Sequence, residues 1–210
     1  MQQIGPYSIR PMTPADIPTV ATIDRLSFPT PWPTSSYVYE LTRNSQSFYS
    51  VLLCPPQADA LPPGHGLRAW FQGLLRGDNI DRVIGYVGLR LETGGTHVST
   101  LAVHPEWRGR GLGELLLLSA IEKTLELGLW NVTLEVRPSN HVARQLYVKY
   151  TFRFAGVHQG YYRDGEDAWL MEANLRGPEV EARLARLRAA LRARIEAQQA
   201  QFGHNGGHHV

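Results

Sequence analysis

The sequence predicts an α/β fold: a sheet of mixed strand direction flanked by helices, with an extra amphipathic helix at the C-terminal end. Three observations carry this. Strand-like and helix-like segments succeed one another from Tyr7 to Asn174, the pattern of a layered α/β unit. Asn131 to Val136 alternates cleanly, with Val132, Leu134 and Val136 on one face and Thr133, Glu135 and Arg137 on the other. After Pro178, Val180, Leu184, Leu187, Leu191 and Ile195 recur three or four residues apart, with Arg183, Arg186, Arg188, Arg192 and Arg194 interleaved.

The elements follow in chain order. Tyr7 to Arg10 reads as a first strand, and Thr13 with Asp16 three residues on forms a capping-box-like start for a helix running to about Leu26. Phe28 to Pro33 cannot be regular, because its prolines remove donors and bias their predecessors towards extended geometry. Thr34 caps a short second helix with Tyr37, Val38 and Leu41 on one side. Phe48 to Leu53 is the second strand and Val83 to Leu91 the third. Between them, residues 55 to 81 form an insertion longer than usual connections. Leu67, Trp70, Phe71, Leu74 and Leu75 predict a short amphipathic helix inside it, packing back on its own domain, binding a partner or gating substrate.

His97 to Val103 is the fourth strand, and a long helix spans Leu112 to about Leu127 with Gly128 as its C-terminal cap. Asn131 to Val136 is the fifth strand. Pro138-Ser139-Asn140 turns the chain into a helix ending near Tyr150, followed by strands near Arg153 to Tyr161 and Ala168 to Asn174. The expected organisation is one domain over residues 1 to 177, a helical extension over 178 to 202, and a disordered glycine- and histidine-rich tail over 203 to 210. Packing of the extension on its own domain, self-association through 179 to 201, and an acidic partner all stay open.

At 210 residues and 43% hydrophobic content the chain can bury one substantial core. A formal net charge of +2 is too small for nucleic acid to be the main partner. Cys54, alone of its kind, excludes an internal disulfide and ends an apolar run, so it reads as core. No signal segment and no membrane-spanning apolar stretch is seen, which points to a cytoplasmic protein. His204, His208 and His209 lack the framework of a metal site.

The densest signal is the corner from Leu101 to Glu114. An apolar run of Leu101, Ala102 and Val103 reaches a turn at Pro105, and a stretch bearing Arg108, Gly109, Arg110, Gly111 and Gly113 opens into the helix at Leu112. Free backbone N–H groups and a positive helix end gather there, which suits a phosphate group. Glycine lets the backbone approach a ligand closely. Taken alone, the corner is also compatible with a plain strand-to-helix turn.

Arg108, Gly111 and Gly113, after a Leu-Ala-Val strand and before a leucine-rich helix, resemble the acetyl-coenzyme A signature of GNAT N-acetyltransferases. Leu134 to Asn140, Leu146-Tyr147, Tyr161-Tyr162 and Glu166 to Ala168 further resemble the RimI-type protein N-terminal acetyltransferases. The resemblance is dense from about Val83 to Leu175. It implies a mostly antiparallel central sheet and acetyl-coenzyme A as acyl donor, without a metal. The pantetheine arm is expected along Leu101, Ala102 and Val103, and the diphosphate on Gly109 to Glu114. Asn140 is expected to touch the coenzyme, and Arg108 and Arg110 to add charge-assisted contacts.

Acetyl transfer to an amine needs a base, a place for the developing oxyanion and a proton for the leaving thiolate. The resemblance makes Glu135 the proton acceptor and Tyr147, two helical turns after Asn140, the proton donor. A salt-bridged Glu135 and a core Tyr147 are the structural alternatives. Backbone N–H groups near Leu101 to Val103 could polarise the thioester carbonyl. Phe28, Trp32, Tyr161 and Tyr162 are expected to line the acceptor groove, or else to be packing aromatics. Where the family has Gly-Phe after the tyrosine helix, this chain has Thr151-Phe152, so that helix must close without its usual left-handed glycine.

The expected acceptor is a protein N-terminus, of ribosomal-protein type. Two alternatives remain: an enzyme acting on a small-molecule amine or a lysine side chain, and a non-catalytic coenzyme A-binding module that holds a partner through the arginine-rich helix.

Overall fold

Alternating burial builds the sheet. In β6 (Asn131–Val136) Val132, Leu134 and Val136 are buried while Thr133 and Glu135 are half-buried on the other face, the period-2 pattern of a strand covered differently on its two sides. The computed structural model describes residues 2–55 and 82–204. Its other strands are β1 (Gln2–Ile4), β2 (Tyr7–Pro11), β3 (Ser47–Cys54), β4 (Arg82–Glu92), β5 (Gly95–Val103), β7 (Arg153–His158) and β8 (Ala168–Asn174). They form an eight-stranded sheet in the order β1-β2-β3-β4-β5-β6-β8-β7. Neighbours run antiparallel except β5 and β6, which are parallel.

The helices among the described residues are α1 (Ile17–Ser27), α2 (Thr34–Thr42), α3 (Leu112–Glu126), α4 (His141–Lys149) and α5 (Pro178–His204). They cover both faces. Val51 and Leu53 of β3 pack with Ile17, Val20 and Ile23 of α1 and Tyr37 of α2. Leu52 and Cys54, one residue out of phase, pack with α3 and α5. The core position expected of Cys54 is thus the observed one. Leu115, Leu116, Leu117 and Leu118 are all buried, because α3 has the sheet on one side and α5 on the other. Only this stretch of α3 is so enclosed; Lys123 and Glu126 further along reach solvent.

The apolar stripe of α5 lies on its own chain. Leu184, Leu191 and Ile195 are buried, with Val180 and Leu187 packed beside them; each fully buried Leu or Ile contributes about 2 kcal/mol. Two pairs lock the docking: Arg188 to Glu122, and Arg183 Nη2 to the Lys149 carbonyl at 3.0 Å.

Several expectations need correction. The chain begins with a strand, β1, not anticipated from its three residues. Thr13 and Asp16 do form a capping box, Thr13 N–H and Oγ1 donating to Asp16 Oδ2 at 2.7 and 2.8 Å, but it starts a 3-10 turn at Pro14–Asp16 that precedes α1. Pro33, not Thr34, is the residue before α2. β7 stops at His158, so Tyr161 and Tyr162 lie in the loop to β8. α5 continues to His204, two residues into the stretch expected to be disordered; most of that tail, with His208 and His209, lies outside the described residues, as does the helix expected near 67 to 75.

The helix ends explain the glycine question. Gly128 closes α3 at φ 71°, with Leu129 N–H donating to the Thr124 carbonyl at 3.1 Å. α4 closes in the same left-handed way on Thr151 at φ 69°, with Phe152 N–H donating to the Tyr147 carbonyl at 3.0 Å. Tertiary packing therefore holds a β-branched residue where glycine is preferred.

Candidate active site

The site begins where two strands part. β5 and β6 pair only from Gly95↔Asn131 to Val98↔Leu134, after which β6 continues to Val136 paired with β8 alone. The register jump between β4 and β5 leaves Ser99 as an extra residue. Such a bulge bends the strand that carries it, here away from β6. Beyond it, His104 N–H bonds the Ile84 carbonyl at 2.9 Å, which fixes the ladder's parity: the amides of Leu101 and Val103 point away from β4, into the gap.

The gap leads to the glycine corner. Gly109 and Gly111 adopt φ 79° and 80°, and Gly111 is the N-cap of α3. The first bond into the helix is Leu115 N–H to the Gly111 carbonyl at 3.0 Å, so the amides of Leu112, Gly113 and Glu114 precede the ladder and remain available to an anion. Arg108 is committed elsewhere: Nε donates to the Val103 carbonyl at 3.0 Å and Nη2 to Ser27 Oγ at 2.8 Å. It braces the strand end against α1. Arg110 stacks over Trp107, its guanidinium carbon 4.6 Å from the ring centre. The Glu114 side chain is buried and turned inward, and only its backbone faces the corner. It accepts from Lys149 Nζ at 2.5 Å, Tyr150 Oη at 2.9 Å and Arg194 Nη2 at 2.6 Å. Burial alone would raise its pKa, but those hydrogen bonds outweigh burial and hold it below the ordinary value.

Glu135 stands on β6 one residue past the last β5 pairing. His97 Nε2 lies 2.9 Å from its Oε2, and His158 Nδ1 3.7 Å from its Oε1. His97 Nδ1 meets Thr133 Oγ1 at 2.9 Å, which fixes the ring. Neither histidine is singled out by the sequence. His97 and Glu135 are brought together only by the parallel β5–β6 register, and His158 only by β7 lying across β8.

Tyr147 is half-buried on α4 and packs on Phe152 at 5.7 Å between ring centres. Burial pushes its phenol up to about 12, so it stays protonated at neutral pH. Among the described residues its hydroxyl has no hydrogen-bond partner. Burial also pushes the Tyr162 phenol up to about 12, against the Arg137 cation, with the fields of Tyr161, Glu135 and Tyr147 adding to the rise. Glu135 and Tyr147 thus both lie within the electrostatic reach of Tyr162.

Tyr161 and Tyr162 pack edge-to-face at 5.1 Å, and their loop is tied down. The Arg137 guanidinium carbon lies 3.7 Å from the Tyr162 ring centre, and Nη1 reaches Glu166 at 2.6 Å and Asp164 at 2.9 Å. Ser139 N–H donates to Glu166 Oε1 at 3.0 Å. Exposed Asn140 caps α4, its Oδ1 accepting from Ala143 N–H at 3.1 Å, which leaves its amide nitrogen out of the cap.

The opposite lip is Phe28 to Pro33. Buried Asp24 pins it: Oδ2 accepts from Trp32 N–H at 2.6 Å, while Oδ1 accepts from Tyr37 Oη at 2.8 Å and from Tyr86 Oη. Phe28 packs against the α1–α2 core. Trp32, Tyr39, Glu40 and Arg90 line an open recess of about 530 Å³. Arg90, at one side of the recess, pairs with His97 across β4 and β5 and lies within the electrostatic reach of Tyr161. Asp24 and Arg90 join the histidines as site residues the sequence does not reveal.

Comparison with known proteins agrees with this architecture. A family model described as Acetyltransferase (GNAT) family matches residues 17–152. A Bacillus subtilis protein named "Putative ribosomal protein bS18-alanine N-acetyltransferase" is 33% identical over 165 residues, spanning 78% of this chain and 93% of its own. The crystal structure of the ribosomal-protein-S18-alanine N-acetyltransferase from Escherichia coli superposes with a TM-score of 0.62 at 21% identity, covering 82% of this chain and 97% of that one. Arabidopsis thaliana NAA60, solved in complex with acetyl-CoA, superposes with a TM-score of 0.61 at 18% identity, covering 81% and 99%.

Proposed function

The chain belongs to the acetyltransferase (GNAT) family, and from that premise we propose that it transfers acetyl from acetyl-coenzyme A to the N-terminal α-amine of a protein, with a ribosomal protein as the acceptor class. The observation that carries this reading is Glu135, held between His97 and His158 at the apex of the β5–β6 gap. The names of the B. subtilis and E. coli relatives support the acceptor class.

The residues present fit the donor. The corner's free amides at Leu112, Gly113 and Glu114 suit its diphosphate, and the Leu101 and Val103 amides suit an extended arm lying in the gap as a strand would. Bound there, acetyl-coenzyme A supplies an activated acyl group and a thiolate leaving group. The Leu101 amide faces the gap, where a hydrogen bond to the developing oxyanion would stabilise the transition state. A terminal ammonium has a reference pKa of about 8 and must lose a proton to attack. Glu135 accepts that proton and His97 passes it on, imidazole being the side chain suited to proton transfer near neutrality. Tyr147, kept protonated by burial, donates to the departing thiolate. Trp32, Tyr161 and Tyr162 flank the acceptor on its two sides.

Turnover of acetyl-coenzyme A against short peptides differing in their first residue, alongside free polyamines and lysine, tests the proposal. Peptides are expected to be acetylated, and Glu135→Gln to lower kcat by about 100-fold. Acetylation of a metabolite with peptides ignored would overturn the acceptor class. Unchanged coenzyme A binding with no turnover by the wild type would leave a binding module instead.

A further inference from the structure

α5 lies beyond the residues the family model matches, yet it reaches the glycine corner. Arg194 Nη2 sits against Gly111 so closely that a Cβ there would lie 2.6 Å from it, and the same nitrogen holds Glu114 Oε2 at 2.6 Å. Leu191 and Ile195, buried on either side along the helix, fix the backbone that carries Arg194.

Charge balance sharpens the point. Glu114 is one buried carboxylate facing two cations, Lys149 and Arg194, so the cluster beside the α3 N-terminus keeps a positive excess. Lys149 alone would neutralise Glu114. A guanidinium has five N–H donors in a planar fork, and among the described residues only Nη2 of Arg194 is engaged. The side chain is 43% exposed, and its guanidinium carbon lies 3.4 Å from where a Gly111 Cβ would stand, one residue before the free amides of Leu112 and Gly113. Glu114 holds the side chain in one orientation, which reduces the entropy lost when its remaining donors meet a ligand.

We propose that Arg194 is a further ligand of the coenzyme's diphosphate, so that the C-terminal helix completes the acyl-donor site. The inference rests on the reading of the corner as the diphosphate site. It accounts for Gly111 twice over, through its positive φ and through the room it leaves for the guanidinium.

Calorimetric titration of the full chain with coenzyme A and with dephospho-coenzyme A, which lacks the 3′-phosphate but keeps the diphosphate, tests this. Arg194→Gln is expected to weaken both ligands about tenfold. Arg188→Gln, which loosens the same helix at Glu122, is expected to bind within twofold of wild type. Equal affinity of Arg194→Gln and wild type overturns the proposal, as does a loss confined to coenzyme A, or an equal loss in Arg188→Gln. Should Arg194→Gln fail to fold, Arg194→Lys, which keeps the charge on Glu114 but loses the fork, is expected to bind about threefold more weakly; wild-type affinity in that variant also overturns it. If the wild type binds neither ligand, the reading of the corner fails, and this inference with it.

Discussion

His97 Nε2 and Glu135 Oε2 lie 2.9 Å apart across the last stretch where β5 and β6 are still paired. The imidazole is anchored on its far side by Thr133, so the pair is a fixed unit at the edge of the gap and not a chance surface contact. If His97 relays the proton that Glu135 takes up, His97→Phe is expected to lower kcat by roughly 10- to 100-fold while coenzyme A affinity stays within twofold. Steady-state kinetics with a peptide acceptor, beside a titration with coenzyme A, checks the split.

Thr151 is a stability defect that the fold tolerates. Its φ of 69° costs a non-glycine residue about 1 to 2 kcal/mol, and its hydroxyl is buried without a partner among the described residues. Glycine relieves both at an entropic cost of about 0.5 to 1 kcal/mol. Thr151→Gly is therefore expected to stabilise the protein by about 1 kcal/mol, read as a higher urea midpoint with unchanged slope.

Asp24 joins the Trp32 backbone to the Tyr37–Tyr86 pair. Asp24→Ala strands those buried donors, and losses of about 3 kcal/mol follow removal of one partner from such a network. Because Trp32 lines the recess, the same variant is expected to raise the peptide KM more than it lowers kcat. Chemical denaturation and initial-rate kinetics measure the two effects.

The tether of the Tyr161–Tyr162 loop has a defined acid limit. Glu166 titrates at about 2, drawn down first by its hydrogen bonds with Ser139 and then by Arg137. The unfolded reference is about 4.3, so the folded value is depressed. The tether contributes fully above the unfolded value and is lost as pH falls through about 2. Ring resonances of Tyr162 are expected to hold steady from pH 7 to about 4, whereas Glu166→Gln shifts them already at pH 7.

Much of this was legible in the residue order. The stripe from Val180 to Ile195 foretold a buried helix face because apolar spacing is a local property. The Gly109-to-Glu114 corner was visible because positive φ and a helix start are written in adjacent residues. What the sequence hid is set by pairing. His97, His158 and Arg90 are unremarkable in their own strands, and only the registers β4–β5, β5–β6 and β7–β8 bring them towards Glu135. Arg108 is half legible for the same reason: its motif points at a ligand, while only the fold shows that Nε and Nη2 also hold the Val103 carbonyl and Ser27 Oγ.

The parting of β5 from β6 also divides the sheet into two leaves, β1 to β5 and β6 to β8, sewn together by a spine that runs only from Gly95 to Val98. Thr96 Oγ1 meets Thr124 Oγ1 at 2.7 Å, fastening that spine to α3. Any small rotation of one leaf about it is magnified with distance, so it displaces Leu101 relative to Tyr147 far more than His97 relative to Thr133. Alignment at the mouth would thus depend on the seam, on threonines set back from the proposed site.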